Sequence, residues 1–346
     1  MVIAVGILAM VTMLLVRAPL VQPVPQAIFI FGDGLLDVGN NIYIPGGAEV
    51  GEPTRADHPY YGIDFPGSKI TGRFSNGYNL ADFIAKSMTF EMSPPPYESL
   101  PKPSPVKMEG FTGVNYACGD AGIRNSTNGD ITYPLMDQVG QFGATRTQLK
   151  AQLGGRKPLN IFLSKSLFLI AVGTMDLNPG YNMFLYVPQN DNQTEVQRLI
   201  ELYGESLTEL HAMGARRFGI INVGPCAEYM CDGDMNKVAV EFNGALGPFL
   251  SGLQVNLRGF RYSLFDLYGF SNATFQNPSA SGFVYTGSAC WPGYGSPCSN
   301  RTEFWFWDDY GYITEQAAKV TASAFYNGTA NFTTPVKLMR LFPKRI

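Results

Sequence analysis

The chain has 346 residues, of which 45% are hydrophobic and 15% are charged, and its formal net charge is −3 at pH 7. A chain of this length can bury a sizeable core, in one large domain or in two small ones. The weakly acidic balance gives no electrostatic reason to expect a nucleic-acid partner or an anionic membrane surface.

The N-terminal residues 1–25 have the character of a hydrophobic leader. Residues 2–16 are apolar and uncharged, and Arg17 follows them. About fifteen residues is short for a membrane span and suits the core of a signal peptide. We predict a secretory signal, with an uncleaved anchor as the alternative, followed by a single domain over residues 26–346.

Asn-x-Ser/Thr sequons support export, because six of them in a chain with a leader predict N-glycosylation. The sequons begin at Asn125, Asn192, Asn272, Asn300, Asn327 and Asn331. Together with the leader they predict a secreted, extracellular protein.

The cysteines fit an oxidising compartment. Cys226/Cys231 and Cys290/Cys298 are close enough in sequence to close small loops, and Cys118 is left over. The chain has two histidines, His58 and His211, and no Cys/His spacing typical of a metal site. We expect no metal and no cofactor.

The first predicted element is a buried strand over residues 27–31, an apolar run that stops at Gly32-Asp33. Gly34 and Gly39 and the polar residues between them favour a tight turn. A strand that ends in such a turn is where an α/β sheet places its site.

The following elements alternate between strands and helices. Residues 42–71 and 93–106 are rich in Gly, Pro or Tyr and predict long irregular loops, the first of them near the site. Helices are predicted after Gly77 through Lys86 and over 134–153, 194–213 and 236–258, and strands over 166–173, 215–225 and 262–268. The second of these helices has Leu135, Val139, Phe142 and Leu149 on one side. The third begins with Thr194, which has the character of a helix cap. This alternation predicts a three-layer α/β/α fold with a mostly parallel central sheet.

Residues 27–41 resemble the first block of the plant GDSL esterase/lipase family, part of the SGNH-hydrolase superfamily. That block reads Phe-Gly-Asp-Ser-Leu-x-Asp-x-Gly-Asn-Asn. Further segments resemble those of the family in the same order, namely 58–66, 71–77, 113–123, 173–176, 215–225, 262–283 and 304–315. The resemblance covers nearly all of the chain after the leader. It implies a flavodoxin-like topology and the hydrolysis of carboxylic esters of lipids, acyl groups or acetylated sugars.

The resemblance also shows what is missing. Gly34 stands where the family has its nucleophilic serine, and Met175 replaces the asparagine that donates to the oxyanion. In the last block Asp308 matches the triad acid, Gly311 stands at the histidine, and one extra residue intervenes before Thr314. A thioether has no N–H to donate, so the Met175 side chain cannot serve the oxyanion hole.

The second block implies a backbone oxyanion donor, which we assign to Gly72 with Gly77 as the other candidate. Both glycines also suit an ordinary turn at a helix start.

A serine triad needs a nucleophile, a base and an orienting acid, so we predict a catalytically impaired or inactive member, a pseudoenzyme. Its ligand would be an acyl ester or an acylated glycan, bound by a monomer. The alternatives are an active carboxylic ester hydrolase with a rearranged site, and a decaying sequence whose product is hardly made.

Overall fold

The computed structural model describes residues 24–45, 54–101, 108–177, 192–227, 233–328 and 330–342. The strands are β1 (Ile28–Gly32), β2 (Gly113–Asn115), β3 (Leu167–Ala171), β4 (Arg217–Ile221), β5 (Arg261–Phe265), β6 (Tyr285–Trp291), β7 (Phe304–Asp308) and β8 (Thr333–Thr334). The helices are α1 (Leu80–Ser87), α2 (Leu135–Gln152), α3 (Arg156–Ser164), α4 (Thr174–Leu177), α5 (Asn192–Met213), α6 (Gly233–Asn256), α7 (Leu267–Gln276) and α8 (Glu315–Asn327).

The central sheet has six strands in the order β2-β1-β3-β4-β5-β8. The first five are parallel, and β8 pairs antiparallel with β5 at the edge. This order is that of flavodoxin-like sheets, whose direction of winding reverses between β1 and β3. The predicted α/β fold with a mostly parallel sheet is confirmed.

Two apolar cores cover the two faces of the sheet, because successive strand side chains point to opposite faces. From β1, Phe29 and Phe31 pack with residues of α2, α3, α5 and α6, while Ile28 and Ile30 pack with residues of α1 and α8. Parallel strands that are buried on both faces have continuous hydrophobic sequences, and for this reason β1 and β3 can be predicted from the sequence. The four apolar residues predicted to share one side of α2 are all buried.

Side-chain caps fix the starts of α1 and α8. Asn79 and Asp82 form a reciprocal capping box at α1, and the Thr314 hydroxyl accepts from the Ala317 amide at α8. Arg73 makes two hydrogen bonds to the Asp82 carboxylate, at 2.7 and 2.9 Å. These contacts anchor the segment that carries Gly72 to the first turn of α1.

Some predicted details are wrong. Helix α5 begins at Asn192, so Thr194 lies inside the helix and is not its cap. Strands β6 and β7 pair in a separate two-stranded parallel sheet that had no predicted counterpart, and Cys290 lies in β6. Helix α3, which follows two glycines, had no predicted counterpart.

The cysteine predictions are confirmed where the structure describes them. Cys290 and Cys298 are joined by a disulfide, and Cys118 is buried and free. Cys231 lies outside the described residues, and so does nearly all of the predicted leader. Among the helices in the described ranges, none combines the length and apolar character needed to cross a membrane.

Candidate functional site

The winding reversal places a crevice at the carboxyl ends of β1 and β3, where ligands of such sheets bind. The two strands approach so closely at Gly32 that a Cβ there would overlap the Ala171 carbonyl oxygen. Gln138 of α2 fixes this strand end, because its amide accepts from the Gly32 N–H and donates to the Gly32 carbonyl, both at 2.8 Å. The turn that follows β1 therefore starts from a rigid point.

Asp37 holds the turn over residues 33–41 in place. Its carboxylate accepts from the amides of Gly39 and Asn40 at 2.7 Å and from the Gly119 amide at 3.1 Å. Asn40 in turn donates to two carbonyls, those of Asn115 and Ala117. The polar residues of the first block thus have the turn-stabilising role that their types predicted.

The space beside Gly34, the residue that the resemblance matches to the family's serine, is filled by the Tyr312 side chain. A Cβ built at Gly34 would overlap the Tyr312 hydroxyl and lie 2.5 and 2.6 Å from Cε1 and Cζ of the same ring. The ring is 9% exposed and packs against Phe74, with 4.6 Å between centroids. A serine at position 34 could not coexist with Tyr312 in this position.

A short turn after β7 places that ring. The Gly311 amide donates to the Asp308 carbonyl at 3.0 Å, and the Trp307 amide donates to the Tyr312 carbonyl at 2.6 Å. Gly311 has a φ of +76°, which only glycine adopts at low cost. The residue that follows, and not Gly311, directs its side chain at Gly34. The assignment of Gly311 to the histidine position remains a prediction from the resemblance.

Asp308, which the resemblance matches to the triad acid, has a tyrosine as a side-chain hydrogen-bond donor. Asp308 is 1% exposed, and its Oδ2 accepts from the Tyr61 hydroxyl at 2.8 Å. Its Oδ1 accepts from the amides of Tyr310 and Tyr312 at 3.1 and 3.2 Å. Burial raises the pKa of Asp308 to about 7, against the opposing effect of these hydrogen bonds. Tyr61 is therefore a side-chain hydrogen-bond donor to Asp308, as a histidine would be if Asp308 were a triad acid.

The two candidates for the backbone oxyanion donor lie in different surroundings. Gly72, at a φ of +80°, packs directly on Gly39 and Ile42 of the first turn. Gly77 lies against the carboxylate of Glu315, at the start of α8. This geometry favours Gly72, whose role as donor stays a prediction.

Met175 lies in the first turn of α4, 7% exposed, and contributes to the wall of the crevice. The neighbouring Asp176 accepts from the amides of Ile123 and Arg124 and from the Thr127 hydroxyl. Asp176 therefore fixes the crevice wall in position.

The crevice contains a cavity of about 110 Å³. Its walls are mainly apolar, and the polar groups include Asp33, Asn222 and Ser271. Burial raises the pKa of Asp33 to about 7, opposed by hydrogen bonds from the Leu35 amide and the Thr174 side chain. The cavity thus offers an apolar chamber with one carboxyl group that titrates near neutrality.

Neither histidine is among the residues that line the cavity. His58 is exposed, lies beside Asp57 and packs edge-on against Tyr61, with 5.1 Å between ring centroids. His211 lies near the end of α5, where its Nε2 is 3.1 Å from the Arg258 carbonyl at the other edge of the sheet. No group of His, Cys, Asp and Glu in the described part of the chain could hold a metal ion.

The residues that sequence reasoning missed are Tyr61 and Tyr312. Tyr312 had one signal, the extra residue before Thr314, which shifts the last block by one position. Tyr61 had none, because its partner is 247 positions away in the chain.

The strand order and the position of the crevice are those of a doubly wound α/β protein with its site at the switch point. The profile of GDSL-like lipases and acylhydrolases matches residues 28–325. Two relatives from Arabidopsis thaliana are GDSL esterase/lipase At5g55050, 34% identical over 91% of this chain and 89% of the relative, and GDSL esterase/lipase At5g37690, 30% identical over 89% and 90%. The chain belongs to the GDSL esterase/lipase family, whose activity is ester hydrolysis.

Proposed function

We propose that this family member binds a short acyl ester or an acylated glycan without hydrolysing it. The observation that carries the proposal is the Tyr312 ring against Gly34, in the space that a serine side chain would need. The missing nucleophile is thus accompanied by a repacked site. Among the residues that the structure describes, no other side chain brings a nucleophile paired with histidine into it.

The losses in rate that such changes cause in serine hydrolases support an inactive site. Losing a triad member leaves a serine hydrolase with only about 10³–10⁴-fold catalysis over water. Losing one oxyanion donor costs a further factor on the order of 10²–10³. Ser75 is no substitute, because it is 1% exposed and its hydroxyl bonds to the Tyr78 carbonyl.

The cavity volume favours a short acyl group. An apolar cavity of about 150 Å³ accommodates a molecule the size of benzene, and this cavity has about 110 Å³. Calorimetric titration with ethyl butyrate and ethyl decanoate tests the size limit. We expect only the butyrate to bind, and equal affinity for both esters would contradict the assignment.

Export is part of the proposal. Asn125, Asn300, Asn327 and Asn331 are exposed, and Asn272 is half-buried on α7. Expression in a plant host with an N-glycosidase digest tests it: we expect protein in the medium whose electrophoretic mobility increases after digestion. Protein retained in the cells without glycans would refute this part.

An esterase assay on p-nitrophenyl butyrate tests inactivity. The restored variant combines Gly34→Ser, Met175→Asn and Tyr312→His with deletion of Gly311, which returns the last block to the family spacing. The matched control carries Gly34→Ala in place of Gly34→Ser. We expect the native chain and the control to be silent and the restored variant to hydrolyse the ester at least 100-fold faster than the control. Turnover by the native chain that a cavity substitution abolishes would refute the proposal.

One observation favours the alternative, an active hydrolase with a rearranged site. Asp33 lines the cavity with a pKa of about 7 and accepts a hydrogen bond from the exposed Thr174 side chain. A carboxylate with such a pKa is suited to act as a general base. If the native chain is active, Asp33→Asn distinguishes this site from contamination, because it would remove the activity while Asp309→Asn would not.

A further inference from the structure

A cluster of arginines lies at the amino ends of β4 and β5, at the edge of the sheet opposite the cavity. Arg216, Arg217, Arg258 and Arg261 line a groove of about 660 Å³ together with Ser164, His211 and Gly259. The lining contains no aspartate or glutamate. The chain as a whole carries a net charge of −3, so this concentration of positive charge is a local feature.

Two of the arginines have partners that do not neutralise them. Arg216 donates to the carbonyls of His211 and Ala215 at 2.7 and 2.6 Å, at the end of α5. The Arg217 guanidinium lies over the Phe342 ring, 5.1 Å from its centroid. Neither contact provides a negatively charged side chain.

The other two arginines are exposed, and their side chains form no ion pair or hydrogen bond within the described ranges. Arg217 and Arg261 are register partners on adjacent strands, so two like charges face the groove side by side. Burial, together with the charge of Arg261, lowers the pKa of Arg217. This like-charge contact is unfavourable unless a counter-charge is present.

Helix dipoles supply part of that counter-charge. Helices α3, α5 and α6 end beside the groove, and each helix C-terminus is equivalent to about −0.5 charge. Burial and the charge of Arg216 lower the pKa of His211, which keeps its ring neutral near pH 7. Four guanidinium groups against three helix ends leave about two to three positive charges uncompensated.

We propose that this groove, formed by Arg216, Arg217, Arg258 and Arg261, binds a doubly charged tetrahedral oxyanion such as a phosphate monoester. Guanidinium groups match phosphate oxygens with two parallel hydrogen bonds each, which a point charge does not. The half-buried positions of Arg216 and Arg217 make the site concave, so it fits a single headgroup or small molecule better than a flat charged surface. The site is separate from the cavity and does not depend on the proposed function.

Thermal unfolding of the intact protein in sodium phosphate, compared with sodium chloride at equal ionic strength, tests the proposal. At a tenfold excess of phosphate over its Kd we expect the midpoint to rise by about 2–4 °C. The double variant Arg217→Gln/Arg261→Gln should lose this rise. The matched control is Arg156→Gln/Arg198→Gln, which removes the same charge from two exposed arginines of α3 and α5 and should keep the rise.

Should the double variant fail to fold, Arg258→Gln takes its place, because the Arg258 side chain is exposed and has no hydrogen bond to any residue that the structure describes. An equal rise in the native chain and in the groove variant, or no rise over chloride, would overturn the proposal. Glycerol phosphate and vesicles of phosphatidylcholine with 20% phosphatidate then separate the sources of the oxyanion. Retention on the phosphatidate vesicles assigns a lipid headgroup, and a response to glycerol phosphate alone assigns a soluble phosphate ester.

Discussion

The contact between Gly34 and Tyr312 predicts the effect of adding a single methyl group. In Gly34→Ala the new Cβ would lie 2.5 and 2.6 Å from two ring carbons of Tyr312, far inside the usual contact distance of about 3.5–4.0 Å. The ring cannot move freely, because it is 9% exposed and packs against Phe74. Overpacking of this kind costs about 1–3 kcal/mol, and we expect that loss in the free energy of unfolding.

Urea unfolding followed by fluorescence measures the effect, and Gly140→Ala is the matched control. Gly140 lies inside α2, and a Cβ there meets nothing within 4 Å. Alanine in a helix interior is favoured over glycine by about 0.5–1 kcal/mol, so the control should be slightly more stable than the native chain.

A double-mutant cycle with Tyr312→Ala assigns the loss to the ring. In the Tyr312→Ala background, Gly34→Ala should cost less than about 0.5 kcal/mol, because the overlapping atoms are gone. The two substitutions should therefore couple by about 1–3 kcal/mol. If Gly34→Ala is tolerated in the native chain, the ring does not occupy the space beside Gly34, and the main support for the proposed inactivity is lost.

Three further predictions concern buried polar groups. Burial raises the pKa of Asp33 from 3.8 to about 7, so the contribution of its protonated form to stability is complete below pH 4 and is lost as the pH rises to 7. At about 1.4 kcal/mol per pKa unit, that loss in the free energy of unfolding is at most about 4 kcal/mol. Urea midpoints between pH 4.5 and 7.5 should therefore fall less in Asp33→Asn than in the native chain. Tyr61→Phe removes the hydroxyl that donates to Asp308 and should cost about 1–3 kcal/mol, whereas Tyr60→Phe, next to it, should cost almost nothing; equal unfolding energies would refute the contact. Gln138→Leu leaves the buried N–H and carbonyl of Gly32 without their side-chain partner and should lower the free energy of unfolding by at least about 2 kcal/mol, a loss that calorimetry would detect.

The parts of the fold that were predictable share a simple physical signature. β1 and β3 are continuous apolar runs because both faces of the sheet are covered, and α2 shows its buried side through Leu135, Val139, Phe142 and Leu149. The sheet of β6 and β7 has no continuous apolar run, since Tyr285, Gly287 and Ser288 are exposed and the register shifts between Tyr285 and Ala289. Helix α3 follows Gly154 and Gly155, and a pair of glycines predicts a loop at this point of the chain.

Part of the candidate site was predictable, because the turn-stabilising role of Asp37 and Asn40 followed from their residue types. The resemblance further implies that Gly34 and Met175 stand at the family's serine and asparagine positions. The direction of the Tyr312 ring depends on the positive φ of Gly311 and on the turn after β7, and neither follows from local residue preferences. The Tyr61–Asp308 hydrogen bond joins a loop to a strand end far apart in the chain, so only the tertiary structure reveals it.

Tyr61 and Tyr312 help to distinguish a site that has been repacked into a stable arrangement from a chain that is losing its fold. Removal of a catalytic serine and histidine would by itself leave a void and a buried carboxyl group without its side-chain donor, defects that cost about 1–3 kcal/mol each. In this chain the Tyr312 ring fills the space beside Gly34, and the Tyr61 hydroxyl donates to Asp308. The glycine and the tyrosine are then mutually dependent, because a side chain at position 34 requires the ring to leave and the departure of the ring opens a cavity. No single substitution can restore the family site from this state, which favours a stable binding protein over a chain that is losing its fold.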